Sequence, residues 1–421
     1  MSAPATTARS LTLIKWLTFL MFMMFAMTTD SVGVIIPEII KEFHLSMTVA
    51  GAFHYADMAG IAFAGFFLGY LADKLGRKKT IILGLVLFAL NSYLFAVGRA
   101  FTFFVLLLLI SGVAIGIFKT GALALIGDIT RSTTEHTATM NTVEGFFAVG
   151  AIIGPAIVAR LLAVGTSWKW LYVIAGTLCV LLIVVATLVQ YPQTSTTAES
   201  VDLKRTLLMM KSPYALGFSG LIFLYVAVEA AIYVWMPTLL SGYHGSLLWM
   251  ATYAISIFFV LRAGGRFIGS WMLAHLNWAA VVTVFSFAIL ACFVISMVGG
   301  IGVAVLALPV SGLFMSVLYP TLNSKGISCF KKPEHGAVAG VILFFTCISA
   351  VVAPLAMAAI SDHFGGAKYG FLLATGFAAL LFISLLLNWI VNPTRDLLHR
   401  LDVTEYSTSD SQAAVGVNTA N

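Results

Sequence analysis

Apolar residues run through this chain in long blocks, separated by short polar turns. A run of 18 or more apolar residues is long enough to cross the hydrocarbon core of a bilayer as a helix. The pattern predicts spans at 11–36, 49–72, 79–98, 101–127, 138–163, 168–190, 213–240, 247–274, 278–298, 302–324, 335–361 and 367–392. The expected fold is an all-α integral membrane protein of twelve transmembrane helices. The longest interior polar segment runs from Tyr191 to Lys211 and is rich in Ser, Thr and charge. It divides the chain into an N-terminal six-helix half (1–190), a cytoplasmic linker (191–212) and a C-terminal six-helix half (213–392), followed by a polar tail (393–421) expected to be disordered. Two related halves around a central cavity are the arrangement of many secondary transporters.

Composition agrees. The chain is 60% hydrophobic and 10% charged, with mean hydropathy +1.01, whereas a soluble domain carries about 25% charged residues. Cys179, Cys292, Cys329 and Cys347 lie in or at the ends of apolar segments with no CxxC or metal-ligand spacing. They read as small buried hydrophobes, and neither metal nor cofactor is expected. The first apolar run is too long for a cleaved signal peptide and lacks a small-residue cleavage site.

The net charge of +6 follows topology and implies no nucleic acid. With the N-terminus inside, the inner segments hold Arg9, Lys15, Lys74, Arg77, Lys78, Lys79, Arg131, Lys204, Arg205, Lys211, Lys325, Lys331, Lys332, Arg395 and Arg400. The outer side holds Lys41, Arg99, Arg160, Lys169 and Lys368. The excess of Lys and Arg on one side predicts that both termini are cytoplasmic, in a bacterial-type inner membrane.

The turn after the second span reads Gly69-Tyr-Leu-Ala-Asp73-Lys-Leu-Gly76-Arg77-Lys78-Lys79. It resembles the G-x-L-A-D-x-x-G-R-K loop signature of the major facilitator superfamily. The resemblance implies that Asp73 makes an inter-helix charge contact latching the cytoplasmic side. Gly69, Gly76 and Arg77 would belong to that latch, as would Arg266 in the worn second copy Gly265-Arg266-Phe-Ile-Gly269. The other reading is a solvated loop serving topology alone. Gly145, Gly150 and Gly154-Pro155 on the fifth span also fit the family, because small residues let helices pack closely and proline bends them.

Ionisable residues inside a membrane are costly and therefore mark sites by default. Six stand out: Asp30 in span 1, Asp57 in span 2, Lys119 in span 4, Glu144 in span 5, Glu229 in span 7 and Arg262 in span 8. Spans 1, 4, 7 and 10 line the cavity in the superfamily that the chain resembles. Asp30 and Lys119 are the strongest pair. They are either a substrate and proton-coupling site or a permanent ion pair. Glu229 has Tyr233 one turn on, a combination that suits a polar ligand or ordinary packing. Glu144 is an inner gate or a loop partner. His54 and Asp57, three apart, form a proton relay or a hydrogen-bonded structural pair. Arg262, one turn deeper than Arg266, is the better ligand candidate.

Span 10 ends in Leu318-Tyr319-Pro320-Thr321-Leu322-Asn323. A Tyr-Pro-Thr run there, an aspartate late in span 1 and a charge deep in span 4 together resemble the fucose permease branch. In that branch the span-1 aspartate and a span-4 glutamate serve proton coupling and sugar binding. The first falls on Asp30 and the second on Lys119, an inversion of charge that points toward an acidic sugar or other organic anion. Tyr319 and Asn323 join the candidate substrate contacts. The span-4 arginine of many proton-driven drug exporters is absent, Leu109 standing at its position.

The leading expectation is proton-coupled secondary active transport of a small hydrophilic solute (sugar, sugar acid or other organic anion), by a monomer whose partners are that solute, protons and the bilayer. The alternative is a proton antiporter exporting a drug, siderophore or metabolite. A solute-sensing receptor is disfavoured by the short tail. An enzyme is not expected, and no G-x4-G-K-[ST] phosphate loop for ATP occurs.

Overall fold

The computed structural model describes residues 8–68, 71–129, 133–192, 209–330 and 335–401, and these are helices joined by turns. Twelve long helical segments follow the hydropathy pattern. The first half comprises α1 (Ala8–Thr29 and Val32–Phe43), α2 (Met47–Ala50 and Ala52–Phe67), α3 (Arg77–Leu94), α4 (Phe101–Ile129), α5 (Thr133–Ala163) and α6 (Trp170–Leu188). The second half comprises α7 (Pro213–Ala230, continuing to Leu240), α8 (Ala254–His275), α9 (Trp278–Gly299), α10 (Ile301–Met315 and Leu318–Ser328), α11 (His335–Phe364) and α12 (Ala367–Val391). Among the described residues nine segments are both long and apolar enough to cross a membrane unaided. α2, α3 and α8 fall outside that group, and α3 opens on Arg77-Lys78-Lys79.

Lipid tails are as apolar as leucine, so helices in a bilayer associate through close packing and hydrogen bonds. α1 packs on α5 in this way. A Cβ on Gly150 or Gly154 would collide with the main-chain oxygen of Met23 or Met27. Gly145, the third glycine of that series, has open space around it. α2 packs along α4, α3 along α4 and α6, and α9 against α10 and α12.

Two departures from the expected pattern stand out. The first lies in the tail, where α13 (Arg395–Leu401) is helical although 393–421 is polar overall. Its leucines fall on one face, and Leu398 is buried at 9% exposure. The second is that three of the spans are interrupted well inside their length, besides the breaks at Gly51 near the start of α2 and at Tyr253 ahead of α8. α1 breaks at Asp30-Ser31, α10 breaks at Ser316-Val317, and α7 passes through a π-helical turn over Ala231–Trp235. Most of the expected linker and the end of the tail lie outside the described residues.

The buried core forms two clusters. One fills the first half near the basic turns, around Phe22, Phe25, Ile81, Phe118 and Ile126. The other joins the far ends of the first half, including Ile35, Phe53 and Trp168, to the whole second half. The two halves are therefore welded on the face away from the basic turns.

Candidate transport site

The interruptions bring the chemistry together. A helix break frees main-chain donors and acceptors, which membrane depth tolerates only inside protein or beside a wet cavity. Hydroxyls satisfy part of the break in α1. Thr28 donates to the Phe25 carbonyl at 2.9 Å, and Ser31 donates to the Met27 carbonyl at 2.6 Å. Ser316 donates to Leu313 at 2.8 Å at the break in α10. Asp30 sits in the α1 break itself, half-buried, and accepts a hydrogen bond from Thr29 at 2.9 Å. It is thus at the end of a helical piece, where the sequence pattern placed it inside one.

Glu229 immediately precedes the π-helical turn of α7 and forms an ion pair with Arg262 of α8. Tyr225, one turn earlier, accepts from Arg262 at 3.3 Å and donates to the Met315 carbonyl at 3.0 Å, beside the break in α10. Among the described residues the Nε of Arg262 is buried without a partner. The fields of Lys119, Arg262 and Glu229 reach Asp30. Asp30 and Lys119 form no ion pair. Lys119 is half-buried, with its ammonium 5.5 Å from the Phe147 ring. Tyr319 lies just after the α10 break, its ring 6.3 Å from that of Tyr225. Asn323 is half-buried one turn on. Glu144 is exposed and electrostatically coupled to Arg262 and Arg266.

His54 and Asp57 do not bond each other. His54 reaches across to α11, its Nε2 donating to the Ala350 carbonyl at 3.0 Å. Asp57 is 2% exposed, and its Oδ2 has no partner among the described residues. His54 belongs to a set of contacts closing the face away from the basic turns. Asp362 at the end of α11 accepts from the main-chain N–H groups of Met47 and Thr48, both at 2.8 Å. Ser256 of α8 donates to Ile152 of α5 at 2.9 Å. Gly33 lies directly against the Tyr233 carbonyl, so that any side chain there would overlap it.

In the loop signature, Gly76 takes a positive φ of 83°, which glycine supplies without strain. Arg77 is 4% exposed and pairs through Nε with Asp128 of α4 at 2.9 Å. Gly69 and the side chain of Asp73 lie outside the described residues.

Residues 18–354 match the Major Facilitator Superfamily. The chain belongs to that superfamily. It is 30% identical over 181 residues to the quinolone resistance protein NorA of Staphylococcus aureus, a stretch covering 42% of this chain and 46% of NorA. The match therefore spans about half of that relative. Among solved structures, the E. coli fucose:proton symporter FucP superposes with TM-score 0.62 at 21% identity, over 90% of this chain and 98% of FucP. The nucleoside transporter NupG superposes with TM-score 0.70 at 14% identity, over 90% and 99%. These identities establish the shared transporter fold.

Within that fold the sequence pattern named Glu229 and Arg262 separately and missed that they pair. It also missed Tyr225, which lies one turn before Glu229 and so on the same face. Asp362 gave no signal, since a charge near a helix end reads as surface.

Proposed function

We propose that this superfamily member is a proton-coupled secondary transporter of a small hydrophilic solute, a sugar acid or other organic anion, working by alternating access. The observation that carries the reading is the Glu229–Arg262 ion pair beside the π-helical turn of α7, with Asp30, in the break of α1, within electrostatic reach of that pair and of Lys119 on α4. A buried ion pair is held by mutual compensation, and neutralising one member releases the other. A proton on Glu229 frees Arg262, whose planar guanidinium then binds a carboxylate. Loss of the proton re-forms the pair and expels the anion, so proton and anion travel together. Lys119, with no acidic partner among the described residues, supplies a second cationic contact. Asp30 is placed to take a proton when α1 and α7 part.

The basic turns favour a cytoplasmic assignment for their face. The closed contacts then lie outside, and the conformation is inward-facing. The test is uptake into proteoliposomes of sugars, sugar acids and small organic acids, with and without an inside-alkaline gradient. An acidic solute should accumulate only with the gradient. Accumulation that ignores the gradient contradicts the reading.

The similarity to NorA favours a second reading, proton-driven export of an organic compound. It requires protons to move opposite to the solute, and the same vesicles separate the two.

A further inference from the structure

We propose that the groove between the first turns of α7 and the end of α12 is a binding site for one anionic phospholipid. The groove has a volume of about 320 Å³. Tyr214, Phe218 and Leu221 of α7 form its apolar wall, and Asn388 and Thr394 form its polar one. Two polar atoms there have no partner among the described residues, Asn388 Nδ2 and Thr394 Oγ1. Thr394 is 3% exposed. Asn388 Nδ2 is a donor, Thr394 Oγ1 can donate or accept, and a buried polar atom without a partner is costly at membrane depth. A ligand with acceptor oxygens would satisfy both.

Three further observations select a phospholipid. The cap residue of α7, Ser212, makes no side-chain bond to the helix start, so the positive end of an 18-residue helix is uncapped beside the groove. Exposed Lys211 and Arg395 flank the lining residues in sequence, against the single acid Asp396 that follows. The surface around the groove is apolar and exposed, with Leu216, Leu387 and Val391 41%, 55% and 69% accessible. Donors and positive charge beside an exposed apolar rim suit a phosphodiester headgroup with acyl chains. Just beyond Thr394, α13 packs into the buried core through Leu398. The inference holds whatever solute the transporter carries.

Free phosphate shares the headgroup chemistry, and the experiment separates the two. Purified protein in detergent is titrated with phosphatidylglycerol, with phosphatidylcholine, and with phosphatidylglycerol plus millimolar inorganic phosphate, and bound lipid is counted by native mass spectrometry. Phosphatidylglycerol should bind about tenfold tighter than phosphatidylcholine, as expected for one charge-assisted contact, and phosphate should not displace it. Thr394→Val removes one donor at nearly constant shape. Gly217→Leu fills the groove from a position where an added Cβ meets nothing within 4 Å. Each variant should weaken phosphatidylglycerol binding. Equal retention of both lipids by the wild type overturns the proposal, and that comparison stands even if a variant misfolds. Displacement by phosphate, or undiminished phosphatidylglycerol binding by both folded variants, overturns it equally.

Discussion

Glu229 and Arg262 hold each other between α7 and α8, and the pair governs what single substitutions should do. Glu229→Gln leaves a buried guanidinium uncompensated, at a cost of roughly 3–5 kcal/mol. The melting temperature should fall, and Glu229→Gln with Arg262→Gln should recover stability but not transport. A single variant as stable as the wild type would remove the pair from the account. Lys119 behaves differently because it has no acidic partner among the described residues. Lys119→Ala should keep its melting temperature and lose affinity for anionic solutes more than for neutral ones; equal loss for both classes argues against a substrate contact. Asp30→Asn should abolish accumulation driven by a proton gradient while sparing counterflow. If pH-driven accumulation persists, Asp30 takes no part in coupling and Glu229 alone carries the proton. Intramembrane charge made all four residues legible in the sequence, since hydropathy exposes any ionisable group. Their partners were not legible, because pairing depends on helix rotation, and the π-helical turn in α7 alters the rotation on which an i, i+4 argument relies.

At the scale of elements, the interruptions of α1, α7 and α10 are the features that set this site. Hydropathy predicted these helices as continuous, because a break of two residues barely changes a window of twenty. Ser31 and Ser316 are hints only in hindsight: a hydroxyl that satisfies a freed carbonyl looks the same in sequence as one on an unbroken helix. The contacts on the face away from the basic turns follow from the same elements. Gly33 permits α1 to meet the carbonyl of Tyr233, and Asp362 ties α11 to the start of α2. Gly33→Val should hold that face apart, and Asp362→Ala should remove two charge-assisted hydrogen bonds, worth roughly 1.5–3 kcal/mol each at most. Both should raise thiol labelling of a single cysteine placed at Phe53, which is 0% exposed here. Labelling unchanged in both variants would show that these contacts do not hold the gate.

For the whole molecule, the number of long helices and the fold family were legible, since a membrane imposes length and polarity so strictly. The conformation was not, because one sequence must serve both faces of an alternating cycle and so encodes neither alone. Closure on the face away from the basic turns belongs to the structure. The central claim, that proton and anion cross together, is tested most directly by watching protons when the solute is supplied. Proteoliposomes are loaded with buffer at the external pH, and the accumulated acidic solute is added outside, with a pH-sensitive dye in the medium. The account predicts that the medium turns alkaline as the solute enters, and that Glu229→Gln vesicles show no such change. Solute entry with no proton movement, or acidification of the medium on entry, would contradict it.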